Sequence, residues 1–205
     1  MGIPIDMPGL KNFIPEITDG KIILIEGQLD PIKTFFVKHL GCIANGNGKK
    51  VIFITSKNKN ELRCAIQEEG SNSENFDIID ERSSRHWKDH ISENSVLIID
   101  SFSYLMLDKS LYEFRDVMED MRDECIEKHA TALLTLVDGM LGEKEEITTE
   151  YLADGIIRFL TKKSPKGIDR YIRIPRWIGN ISFDDNINYT FDGNKMHVDQ
   201  RERVV

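Results

Sequence analysis

Residues 21–34 read Lys21-Ile22-Ile23-Leu24-Ile25-Glu26-Gly27-Gln28-Leu29-Asp30-Pro31-Ile32-Lys33-Thr34. The first six form an apolar, β-branched run that reads as a strand and stops at Gly27. Phe35 to Ala44 carries a helical pattern and ends in the strong break Asn45-Gly46-Asn47-Gly48. Between strand and helix, Gly27, Lys33 and Thr34 stand at the spacing of a phosphate-binding loop, Gly, four residues, Gly-Lys-Ser/Thr. In such a loop, backbone N–H groups and the helix N-terminus hold the phosphates. The lysine neutralises the outer phosphates and the hydroxyl binds magnesium.

Two residues depart from the pattern. Ile32 takes the place of the second glycine, and its branched side chain is poorly suited to close phosphate approach. Asp30 places a negative charge inside a loop that would cradle an anion, where a like-charge contact at about 4 Å costs on the order of 4 kcal/mol. The same stretch also reads as a plain helix N-terminus preceded by an acid, which suits the helix dipole.

Working outward, short apolar runs alternate with helical segments. Val51 to Thr55, Phe76 to Asp80, Ser95 to Asp100, Thr131 to Val137 and Ala153 to Leu160 read as strands. Asn60 to Glu69 reads as a helix stopped by Gly70. Leu111, Phe114, Met118, Met121 and Cys125 form an apolar stripe on a helix from about Ser110 to His129. After Pro165-Lys166-Gly167, three stretches read as short antiparallel strands: Arg170 to Pro175, Asn180 to Phe183, and Asn188 to Val198 with a turn at Asp192-Gly193-Asn194. The expectation is an α/β fold with a mostly parallel central sheet, helices on both faces and a C-terminal antiparallel extension. It is expected as one domain over 1–205, with a core of about 18–161 and the extension over about 168–199. Ligands of such sheets bind at the carboxyl ends of the strands, here just after Glu26, Thr55, Asp100 and Val137. Val96-Leu97-Ile98-Ile99-Asp100-Ser101 ends in the carboxylate that a nucleotide site places beside magnesium.

Composition narrows the class. The 205 residues carry a net charge of −8 and are 40% hydrophobic and 30% charged, an ordinary soluble balance. Acidity disfavours non-specific nucleic-acid binding. Cys42, Cys64 and Cys125 are too few and too scattered for a disulfide framework or zinc site. No apolar run reaches the roughly 20 residues of a membrane span. Met1 to Leu10 lacks the pattern of a secretory signal, so a cytoplasmic protein is expected.

The chain resembles the RecA superfamily, and within it the archaeal RadA and KaiC-like branch. The resemblance spans nearly the whole chain. It rests on the loop Gly27 to Thr34, Asn60-Glu61-Leu62, Ile98 to Leu105, Tyr151-Leu152-Ala153-Asp154-Gly155-Ile156-Ile157 and the terminal hairpin Phe191 to Val198. It implies ATP held with magnesium between subunits of an oligomer. Gly27, Lys33, Thr34 and Asp100 would serve on one subunit, Thr34 and Asp100 on the magnesium, and Arg176 on the neighbour. The resemblance also marks losses. The paired glutamates after the second strand are replaced by Ser56 and Lys57, so the water-orienting carboxylate is missing. The late basic segment retains Arg176 in Arg176-Trp177-Ile178-Gly179 and lacks its second cation.

Other signals are weaker. Gly139 to Glu146 reads as an acidic loop that would repel a phosphate backbone. Lys49, Lys50, Lys57 and Lys59, and likewise Lys162, Lys163, Lys166 and Arg170, read as solvated basic faces. Trp87 reads as a partly buried aromatic more readily than as a base-stacking platform. His86 and His90 are four apart but lack further ligands for zinc. Two readings follow. One is a regulatory or assembly subunit with absent or very slow ATP hydrolysis, in a homo-oligomer or protein complex. The other is an active, divergent ATPase, coupled to a protein partner or DNA, whose carboxylate comes from elsewhere, such as Asp80 or Glu81.

Overall fold

The apolar runs pair side by side. The computed structural model describes residues 2–69, 76–80, 87–165, 167–179, 181–192 and 195–199. Strands β1 (Ile3–Pro4) and β2 (Glu16–Ile17) form a small antiparallel pair of their own. The main sheet is built from β3 (Ile22–Gly27), β4 (Val51–Thr55), β5 (Phe76–Asp80), β6 (Val96–Asp100), β7 (Thr131–Val137), β8 (Gly155–Ser164), β9 (Gly167–Trp177), β10 (Ile181–Phe191) and β11 (Met196–Val198). Its order is β11-β10-β9-β8-β3-β7-β6-β4-β5. From β8 to β5 all neighbours are parallel; from β8 to β11 they are antiparallel. This is the expected mostly parallel sheet with an antiparallel extension.

The helices are α1 (Ile32–Gly46), α2 (Lys59–Glu68), α3 (Trp87–His90), α4 (Phe102–Leu105), α5 (Leu111–Glu127) and α6 (Glu143–Leu152). Period-2 alternation in the strands divides the core into two apolar clusters. Ile23, Ile25, Phe53 and Ile98 join Phe36, Val37 and Leu40 of α1 in one. Ile22, Leu24, Ile52, Ile54, Leu97 and Ile99 join Phe114, Met118 and Met121 of α5 in the other. Each such buried side chain contributes roughly 1.5–3 kcal/mol of transfer free energy. The α5 stripe is therefore core, and its start is fixed by a capping box. Ser110 Oγ accepts from Glu113 N–H at 3.4 Å, and the Ser110 N–H donates to Glu113 Oε2 at 3.0 Å.

Several expectations need correction. α1 begins at Ile32, three residues before the expected Phe35, because Ile32 packs into the core. The expected acidic loop 139–146 is in part the first turn of α6. Glu143, Glu145 and Glu146 lie there, where acid complements the helix dipole. The two late strands expected at 180–183 and 188–198 are one long β10 followed by β11. Trp87, by contrast, is buried in line with the favoured reading of a buried aromatic. Gly70, Glu81, His86, Lys166, Asn180, Gly193 and Asn194 lie outside the described residues. Among the described residues, no helix is long and apolar enough to cross a membrane.

Candidate functional site

The parallel register brings the strand ends to one edge. Gly27 lies beside Val137, and Thr55 lies beside Asp100. Gly27 is required by close approach: a Cβ there would meet the Phe159 carbonyl oxygen at 2.6 Å.

The loop after β3 departs from an open phosphate cradle in a specific way. Asp30 Oδ1 accepts a hydrogen bond from the Ile32 N–H at 2.8 Å. That N–H belongs to the helix N-terminus that would otherwise face a phosphate. The Ile32 side chain is buried in the apolar cluster beneath α1. Asp30 thus satisfies the first N–H of α1 from the turn ahead of Pro31. Lys33 is buried, and its ammonium donates to the carbonyl of Gly27 at 2.9 Å and to that of Gln28. Burial pulls the Lys33 pKa down, opposed by the charges of Asp138, Asp100 and Asp30.

Thr34 and Asp100 meet as the loop reading expects. Thr34 Oγ1 donates to Asp100 Oδ2 at 2.8 Å, and Thr135 Oγ1 donates to Asp100 Oδ1 at 2.7 Å. A third group joins them. Lys57 Nζ lies 2.6 Å from Thr34 Oγ1 and 2.9 Å from Asp100 Oδ2. Lys57 comes from the turn after β4, where its N–H donates to Thr55 Oγ1 at 3.1 Å. Because Thr55 and Asp100 are register partners, this turn delivers Lys57 directly over the carboxylate. Of the basic group Lys49, Lys50, Lys57 and Lys59, the last three are exposed as expected, and Lys49 departs from a solvated face. Lys49 is buried on Asp19 (2.8 Å) and Asn94 (2.5 Å), and Lys50 pairs with Asp77 at 3.6 Å.

The donors of Thr34 and Asp100 have the hard-oxygen chemistry of a magnesium site, but their arrangement does not suit the ion. Their shared position is held by an ammonium. Unit like charges at about 4 Å repel by on the order of 4 kcal/mol at an effective dielectric near 20, and a divalent ion doubles this before solvent screening.

Arg176 sits apart from these four residues. It lies on β9 opposite Ile156, which in turn lies opposite Leu24, below the strand ends. Its Nη1 donates to the carbonyls of Glu150 and Tyr151, each at 3.1 Å, which suits the C-terminal end of α6. The alternative carboxylate Asp80 ends the outermost parallel strand. Thr55 separates it from Asp100 by two strand spacings, about 10 Å. Among the described residues, no cluster of His, Cys, Asp and Glu is arranged to hold a metal.

A neighbouring acidic cavity of about 270 Å³ was not foreseen. It is lined by Glu26, Asp138, Glu146, Glu150 and Arg158, among others. Arg158 Nε donates to Glu26 Oε2 at 2.6 Å, and its Nη2 donates to Glu150 Oε1 at 2.5 Å. Burial pushes the Glu26 pKa up to about 7 against the pull of Arg158. The signal in the sequence was a glutamate closing an otherwise apolar strand, matched by an arginine within Ile156-Ile157-Arg158-Phe159. The Ala-Asp-Gly stretch is structural as well. Asp154 Oδ2 accepts from the Ile22 N–H at 3.0 Å, and Oδ1 pairs with Lys21 at 3.1 Å. Gly155 leaves room for the Trp177 ring, which a Cβ would meet at 2.9 Å.

No curated protein matches the chain. Two solved structures share its fold over nearly their full lengths. The KaiC-like protein PH0186 from the hyperthermophilic archaeon Pyrococcus horikoshii OT3 has a TM-score of 0.77 at 18% identity, covering 97% of this chain and 98% of that one. The flagellar accessory protein FlaH from Methanocaldococcus jannaschii has a TM-score of 0.73 at 16% identity, with the same coverage of 97% and 98%. At these identities the likeness shows a RecA-like fold. The model of a family of unknown function, DUF7125, matches residues 49–204, and the chain belongs to that family.

Proposed function

We propose that the chain is a RecA/KaiC-like regulatory or assembly subunit, one domain over its length, with absent or very slow ATP hydrolysis. The observation that carries this reading is Lys57, which occupies the sequence position of a water-orienting glutamate in the resemblance and turns its ammonium onto Asp100. Asp30 on the Ile32 N–H supports it, since one phosphate donor is already used by the chain itself. Gly27, Lys33 and Thr34 remain the residues to meet a nucleotide phosphate, Lys33 by giving up its loop carbonyls, with Asp100 holding Lys57 beside them and Arg176 reserved for a neighbouring copy in an oligomer. FlaH is a flagellar accessory protein, which accords with a role in an assembly. Phosphate release from ATP and magnesium by the purified chain tests the reading. Release at background, unchanged in Lys33→Ala, is expected. Turnover that Lys33→Ala abolishes overturns it.

The meeting of Lys33, Thr34 and Asp100 on one edge favours a second reading, an active ATPase with its carboxylate supplied by Asp80. That reading requires turnover which Asp80→Asn removes.

A further inference from the structure

We infer that Lys57 is the resident cation of this site, standing where magnesium would, and that the site takes a phosphorylated ligand without a divalent ion. This rests on the non-hydrolysing reading above and adds the form in which the ligand binds.

Three observations carry it. First, the Asp100 side chain is only 4% exposed, and a buried carboxylate needs a compensating charge. Thr34 and Thr135 supply hydroxyls, which are neutral. Lys33 spends its ammonium on the loop carbonyls of Gly27 and Gln28. Among the described residues, the ion pair to Asp100 is made by Lys57. Second, the Lys57 ammonium touches both oxygens that a magnesium ion would need, Thr34 Oγ1 and Asp100 Oδ2. It does so from a rigid base, the turn pinned on Thr55. Third, an ammonium has three donors, and these two oxygens engage two of them. The Lys57 side chain is 56% exposed and lines a cavity of about 260 Å³ whose walls include Phe35, Phe53, Leu62 and Phe191. The remaining donor is thus available to a phosphate oxygen in a cavity whose walls join those apolar side chains to Lys38, Glu61 and Asp100. A lysine can do for one phosphate what the ion does, as a point charge already tethered in the site.

The experiment is calorimetric titration of the full chain with pyrophosphate, and separately ADP, in excess magnesium and in excess EDTA. Wild type is expected to bind pyrophosphate with the same affinity, within about twofold, in both conditions. Lys57→Ala, checked for native fold by circular dichroism, is expected to bind about tenfold more weakly in EDTA and to regain affinity with magnesium. Wild-type binding that falls about tenfold or more in EDTA overturns the inference, and that comparison needs no variant. Absence of binding in both conditions overturns it too, while leaving the non-hydrolysing reading in place. ATP turnover measured on the same samples bears on that reading alone, so the two failures are distinct.

Discussion

Lys57 Nζ reaches across the β4–β6 strand pair to lie 2.9 Å from Asp100 Oδ2. The contact joins a half-exposed cation to a buried anion at the edge where a parallel sheet places its ligands. Its energetic weight comes from the buried partner. Replacing Lys57 with Met leaves Asp100 with two hydroxyl donors and no countercharge. A loss of about 1–3 kcal/mol is expected in urea unfolding. In a double-mutant cycle, Asp100→Asn should recover much of that loss, since the uncompensated charge goes with it.

Asp30 makes a separable prediction. Its carboxylate caps the Ile32 N–H and also faces any bound anion with a like charge. Asp30→Asn retains a capping oxygen and removes the charge, so stability should change by less than about 0.5 kcal/mol. Pyrophosphate affinity, measured by calorimetry, should rise about threefold to tenfold as repulsion is removed.

Glu26 predicts a pH dependence. Its carboxyl is raised by burial from 4.5 in the unfolded chain to about 7 in the fold. The folded chain therefore holds a proton that the unfolded chain has lost, and stability must fall as pH rises from about 4.5 through about 7. The size is about 3 kcal/mol for this residue. Urea unfolding of wild type across this window should show the decline, and Glu26→Gln should flatten it. A curve for Glu26→Gln parallel to wild type would contradict the assignment.

The thiols divide by burial. Cys125 is buried, and burial together with the Asp154 charge pushes its pKa up to about 12, while Cys64 is exposed. Cys42 is buried. Reaction with a thiol reagent at neutral pH should label one cysteine rapidly in the native chain and three after unfolding, and Cys64→Ser should remove the fast one.

The strands were legible because burial on both faces of a parallel sheet leaves continuous apolar runs. Val51–Thr55, Phe76–Asp80 and Thr131–Val137 lie where the runs lie. α6 was illegible because Glu143, Glu145 and Glu146 resemble a solvated loop until the dipole of the helix they open is considered. The long β10 was hidden by its polar middle, which interrupts the strand pattern. At the site, Gly27, Lys33, Thr34 and Asp100 follow from spacing along the chain, and Thr34 and Asp100 do meet. Lys57 was visible as an absence of glutamate but not as a cation on Asp100. That contact depends on the strand register of Thr55 with Asp100, and local sequence carries no signal for register between distant strands.

Whether an ammonium holds the magnesium position is read from crystals grown or soaked with excess manganese, a magnesium substitute with an anomalous signal. Wild type is expected to show no anomalous peak between Thr34 Oγ1 and Asp100 Oδ2, with the Lys57 side chain continuous to both oxygens. A manganese peak at roughly 2.2 Å from those two oxygens, with Lys57 displaced, would contradict it.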